Sequence, residues 1–259
     1  MDRRGLGRVA AVAANTYRES VRERVLYNLV LFAVLMTLSG LLLSQLSIRQ
    51  DEKIVKDLGL ASMEIFGGLI AIFIGVGLVS KEIDRRSLYP LLAKPLTRTE
   101  FLLGKFAGLS FTLLVNVAIM TAGLYATVAA MGRGFDPRLI KAIYPILLGL
   151  LVVTAVALLF STMTSPALAA IATFCVVLAG RSSDLIRNMK EVVPEAPGWL
   201  TTTLYYLLPN LRDFDFKNAV VYGDAVSWSA LLGVTLYAVL YVGALLTLAL
   251  LRFRSRDLS

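Results

Sequence analysis

The chain has 259 residues, 57% of them hydrophobic and 17% charged, with 26 Lys and Arg against 18 Asp and Glu and no His. A soluble domain of this size carries about a quarter charged residues, and here the apolar excess is gathered into runs able to cross ~30 Å of hydrocarbon. The chain therefore reads as one polytopic membrane domain, 1–259, and lacking His it has no His-dependent catalytic dyad, metal site or proton relay. The net charge of +8 fits cytoplasmic retention and contact with anionic membrane lipid, and calls for no nucleic-acid partner.

Residues 1–24 carry Arg3, Arg4, Arg8, Arg18, Arg22 and Arg24. Val9, Val12, Ala13, Thr16 and Tyr17 share one helical face, with Arg8, Asn15, Arg18 and Arg22 largely opposite. That pattern predicts an amphipathic helix lying in the membrane interface. The first apolar run behind it is too long for a cleavable signal and reads as a retained span.

Six spans are expected, at 25–47, 60–80, 101–131, 140–160, 166–182 and 225–251. An even count puts both termini on one side, and the N-terminal arginines with Arg252, Arg254 and Arg256 place that side in the cytoplasm. Span three would be about 46 Å long, so it must tilt or project beyond the bilayer. On the outside fall 48–59, 132–139 and the long segment 183–224. In the last, Leu185, Ile186, Met189, Val192 and Val193 repeat at helical spacing, and Trp199 to Pro209 is aromatic and too short to span. Two short outer helices are expected there, with Trp199, Tyr205, Tyr206, Tyr222 and Trp228 at headgroup level.

Charges at membrane depth are costly and usually functional, and the expected spans are nearly bare of them. Glu64 reads as a solvated residue at the outer edge of span two, and Asn116 as an interhelix hydrogen bond. Asp213 and Asp215 read as polar surface rather than a metal site, and Cys175 as a small core hydrophobe. Gly67, Gly68, Gly75, Gly77, Gly104, Gly108 and Gly123 permit close helix packing, whether for routine contacts, a subunit interface or a closable pathway. Gly104-Lys105 lacks the upstream glycine of a phosphate-binding loop, which argues against ATP binding by this chain.

The stretch KEIDRRSLYPLLAKPLTRTEFLLGK, Lys81 to Lys105, interrupts the apolar runs with nine charges and two prolines. Helix is expected through Arg86, weakening at Leu88–Tyr89 because the residue before a proline disfavours helix. Thr97 and Glu100 fit the capping box S/T-x-x-E, so a new helix starts near Arg98. Leu88, Leu91, Leu92 and Leu96 set among Lys81, Glu82, Asp84, Arg85 and Arg86 describe apolar anchors with a charged rim, a protein-docking pattern. A purely topogenic loop would leave the acids and leucines unexplained.

The run Gly77 to Lys105, of the form G-x-x-x-x-E followed by R-[ST]-L-Y-P-L-L-A-K-P-[LIV]-[ST]-R-x-x-[FIY]-L-x-G-K, resembles the coupling region of ABC-2-type exporter permeases. LLPNL, Leu207 to Leu211, is similar to a stretch before their last span, and the subgroup most alike is the small six-span permeases of the copper-enzyme-maturation and gliding type. The resemblance implies an all-α integral membrane protein of the bacterial cytoplasmic membrane. Its parts would be six transmembrane helices, an N-terminal interfacial helix, a cytoplasmic coupling helix between spans two and three, and short outer helices between spans five and six. It further implies a second permease copy, the same chain or a related one, and two copies of an ABC ATP-binding subunit. ATP and Mg would be bound by that subunit, leaving this chain no cofactor and no catalytic residue. Lys81, Glu82, Asp84, Arg85, Arg86, Leu88, Leu91 and Leu92 would meet the ATPase, with Thr97 and Glu100 capping the helix that follows. An alternative is a mechanotransmission or scaffold protein that passes ATPase-driven motion to an extracytoplasmic partner at 183–224, with no substrate crossing.

Overall fold

The computed structural model describes residues 3–22, 31–32, 34–36, 51–84, 97–132, 134–183 and 198–255. Among these, all regular structure is helical: α1 (Arg3–Arg22), α2 (Asp51–Asp84), α3 (Arg98–Ala130), α4 (Arg138–Ser161) and α5 (Pro166–Arg181). Then follow α6 (Gly198–Leu207), a 3₁₀ turn (Leu211–Phe214), α7 (Lys217–Tyr222) and α8 (Trp228–Ser255). Four helices, α2, α3, α4 and α8, are long and apolar enough to cross a membrane, and α5 is a shorter apolar helix of 16 residues. The protein is an all-helical integral membrane protein. The expected first span, 25–47, lies almost wholly outside the described residues, as does the helix expected around Leu185–Val193.

Two helices make the centre. The apolar windows of α2 and α4 are 72% and 67% buried, against 33% for α3 and 22% for α8. Gly75 lets α2 approach α4 closely, since a Cβ there would lie 3.0 Å from that of Ala157. Leu60, Met63 and Ile70 of α2 join Leu113, Met120 and Leu124 of α3 and Leu139, Val152 and Leu158 of α4 in one core. In lipid such packing, more than water exclusion, holds helices together.

The helix α2 begins at Asp51, so most of the expected outer segment 48–59 is helical. Its charges explain this: Lys56 Nζ lies 2.6 Å from Glu52 one turn back and 2.7 Å from Asp136 in the α3–α4 turn. That turn passes Gly132, at φ 72°, and is held by the Tyr125 hydroxyl, which donates to the Asp136 carbonyl (2.8 Å). Burial pushes the Asp136 carboxyl up. The Lys56 hydrogen bond, the Arg138 N–H and both their charges outweigh that and hold it below the usual aspartate range.

Cys175 is exposed on α5 rather than packed in the core. It shares an outward face with Leu168, Ile171, Phe174 and Leu178, a lipid-type surface rather than an inner one. The helix α1 forms as expected. Its Val9–Tyr17 face lies against α3, so α1 runs alongside the first turns of α3. With 33 residues, α3 is about 50 Å long, more than ~30 Å of hydrocarbon requires, and α1 packs on its N-terminal turns.

Candidate coupling site

The chain re-enters helix at Thr97, whose extended backbone (φ −77°, ψ 150°) makes it the cap of α3. Its hydroxyl accepts the Glu100 N–H at 3.2 Å, and the Glu100 carboxylate accepts the Thr97 N–H at 2.9 Å. Two of the four unpaired N–H groups of a helix start are thereby satisfied. The same carboxylate sits 3.7 Å from Arg8 of α1. Two residues before Glu100, Arg98 donates from Nη1 to the Phe253 carbonyl near the end of α8 (2.8 Å) and lies over that ring. The Phe101 and Phe253 rings stack, 6.1 Å apart and 19° from parallel. The first turn of α3 therefore grips α1 on one side and α8 on the other.

The following turns bring α1 and α3 into backbone contact. A Cβ on Gly104 would lie 2.6 Å from the Val12 Cβ, and one on Gly108 would lie 2.6 Å from the Ala13 carbonyl oxygen. Thr16 and Ser20 are fully buried yet cause no polar strain, because each hydroxyl donates to its own helix four residues back. Tyr17 meets Phe111 edge to face, with centroids 4.9 Å apart. Between the two glycines Lys105 is 1% exposed, its ammonium 3.7 Å from Glu19 and 5.8 Å from the Phe101 ring centre. The L-x-G-K end of the basic stretch is thus the seat of α1, with glycine for approach and lysine for charge.

Of the residues expected to meet a partner, Lys81, Glu82 and Asp84 belong to the last turn of α2. Arg85, Arg86, Leu88, Leu91 and Leu92 lie outside the described residues. The described structure supplies the exit of that segment: a capped helix already joined to α1 and α8.

Two other readings change, while Asp213 and Asp215 are both exposed, as polar surface should be. Glu64 is 9% exposed rather than solvated, and its carboxylate takes Arg181 Nη1 of α5 at 2.7 Å and the Lys217 ammonium of α7. Asn116 makes no interhelix bond among the described residues. Its amide reaches only the Thr112 carbonyl in its own helix (3.5 Å), and its buried Oδ1 has no partner there. Asp215 accepts the Lys217 N–H at 3.2 Å, while burial raises the Asp213 carboxyl above its usual range despite the charge of Arg212.

The LLPNL stretch has a role that its sequence does not announce. The Asn210 N–H donates to the Tyr237 hydroxyl (2.9 Å), and its Oδ1 accepts from Ser183 (2.7 Å). The Tyr241 hydroxyl donates to the Leu207 carbonyl at 2.7 Å. A Cβ on Gly180 would collide with the Pro209 carbonyl, so α5 ends directly against the turn. Two tyrosines one turn apart in an apolar helix were the available sign, since buried hydroxyls need partners.

Among the described residues, apolar helices form a bundle in which α1 is clasped to α3 beside the charged stretch of the sequence. The chain belongs to the ABC-2 family of transporter proteins, whose model, described as ABC-2 family transporter protein, matches residues 10–258. No curated protein matches the chain. It is a permease subunit of an ABC transporter, a family that works with a cassette ATP-binding subunit.

Proposed function

We propose that this permease pairs with a second copy, itself or a related chain, in a bacterial cytoplasmic membrane with both termini inside. Two cassette ATPases dock on the 81–100 segments and drive export. Leu88, Leu91 and Leu92 enter a cleft on the ATPase, and Lys81, Glu82, Asp84, Arg85 and Arg86 form the rim. ATP and Mg stay in the ATPase, and this chain transmits force without catalysis. The observation that carries the reading is the joining of α1, α3 and α8 around Thr97–Lys105, immediately after the docking segment. A push delivered there reaches three helices as one body.

The test is co-purification with the cassette ATPase encoded beside this gene. Changing Arg85→Glu with Arg86→Glu should lower stimulated ATP hydrolysis at least tenfold while thermal unfolding of the permease stays unchanged. Intact coupling in that variant would remove the docking assignment.

A second reading, mechanotransmission to an envelope partner, is favoured by the fastening of the outer segment to the spans through Glu64 and Asn210. Trp199 and Tyr206, 71% and 78% exposed, would then be partner contacts. Replacing both by Ala should abolish capture of that partner and leave ATPase stimulation intact.

A further inference from the structure

Residues 207–217 pack against four helices, at the end of α5 and along the middle of α8, α4 and α2. Leu207 and Asn210 are bound by Tyr241 and Tyr237 of α8, Pro209 rests on Gly180 of α5, and Phe214 covers Gly149 of α4. Leu211 and Phe214, 5% and 3% exposed, belong to the main core. At the far end of this strap Lys217 reaches Glu64 of α2.

The ion pairs at that end are arranged unlike a fixed bridge. Lys217 lies between two carboxylates, Glu64 on the span and Asp215 on the strap itself, the latter 3.6 Å away. Glu64 in turn holds a second cation, Arg181, at 2.7 Å. Parting Lys217 from Glu64 therefore orphans neither: the lysine keeps Asp215 and the glutamate keeps Arg181. Breaking a buried pair is ordinarily costly because one charge is left uncompensated, and here that cost is removed in advance.

The geometry points to a charge-latched strap, 207–217, that pivots at Asn210 and is released when Lys217 passes from Glu64 to Asp215. This rests on the permease reading, in which a path between the spans must open, and the strap lies against three of those spans partway along their length. Hydrogen bonds between neutral groups hold the pivot, and a partner exchange between charges frees the other end. Leu211 and Phe214 lift with it.

Hydrogen–deuterium exchange of the full chain in lipid nanodiscs tests the latch without substrate or ATPase, so it fails independently of the permease reading. Glu64→Gln should speed exchange of the 207–217 amides about tenfold or more, with the α2 and α4 amides unchanged. Asp215→Asn should do the opposite and slow it severalfold, because the released state loses the lysine's alternative partner. Asparagine keeps the oxygen that accepts the Lys217 N–H, so the local turn survives. Should Glu64→Gln fold poorly, Lys217→Gln removes the latch from the strap side and should reproduce the faster exchange. Faster exchange in Asp215→Asn, or unchanged strap exchange in Glu64→Gln and Lys217→Gln, would overturn the latch in favour of static ion pairs.

Discussion

At Gly104 and Gly108, α1 and α3 meet through glycine against a neighbouring helix, and at Lys217 the strap meets α2 through charged side chains. Gly104 and Gly108 have Val12 and the Ala13 carbonyl in place of any side chain they could carry, whereas Glu64 has a choice of cations. A contact made by close approach has one geometry and transmits displacement. A contact made by exchangeable charges has at least two, and can let go. The α1–α3 contact and the Lys217–Glu64 contact thus divide rigidity and release between them.

The sharpest way to break that division is Gly108→Leu. The new side chain has no room beside Ala13 and Thr16, and overpacking of this kind costs about 1–3 kcal/mol. Thermal unfolding should fall accordingly, limited proteolysis should release α1, and coupled ATP hydrolysis should be lost while the strap's hydrogen exchange stays as it was. If α1 remained protected, the rigid character of this contact would be refuted. Thr97→Ala is gentler. It removes the hydroxyl that accepts the Glu100 N–H at a cost of ~1 kcal/mol, visible as faster exchange in the first turn of α3 alone.

The smallest effect belongs to Asp136→Asn, where charge again does the fastening. Because the native Asp136 carboxyl is held below its ordinary 3.8, its contribution is present above that pH and is lost as pH falls through the lowered native value. The variant should be less stable than the parent at pH 7 by under ~1 kcal/mol, as for other partly exposed pairs. Thermal midpoints of the two should converge below about pH 3.8; a constant gap across that range would mean packing, rather than charge, sets the difference.

How much of this was legible in the sequence depended on the range of the interaction. The capped restart could be read because Thr97 and Glu100 are three residues apart, and four of the apolar runs because a span declares itself by length. The start of α2 was hidden because Asp51-Glu52-Lys53 looks like loop composition, and only the Glu52–Lys56–Asp136 contacts make helix the better state for it. Glu64 was misjudged for a similar reason. Its partner Lys217 is 153 residues away, and a lone carboxylate near a span edge carries no mark of the cations folding brings to it. The scarcity of charge within the spans, by contrast, was readable, but buried Glu64 and Lys105 break it among the described residues, and the bonding of Asn116 was misassigned.

One feature of α5 reaches past the protein. Its 16 residues measure about 24 Å, against ~30 Å of hydrocarbon, and α5 is shorter than the four helices able to cross a membrane. Placed across a bilayer, its exposed face of Leu168, Ile171, Phe174 and Leu178 would leave that difference to be met by thinned lipid, by flanking residues or by a neighbouring helix.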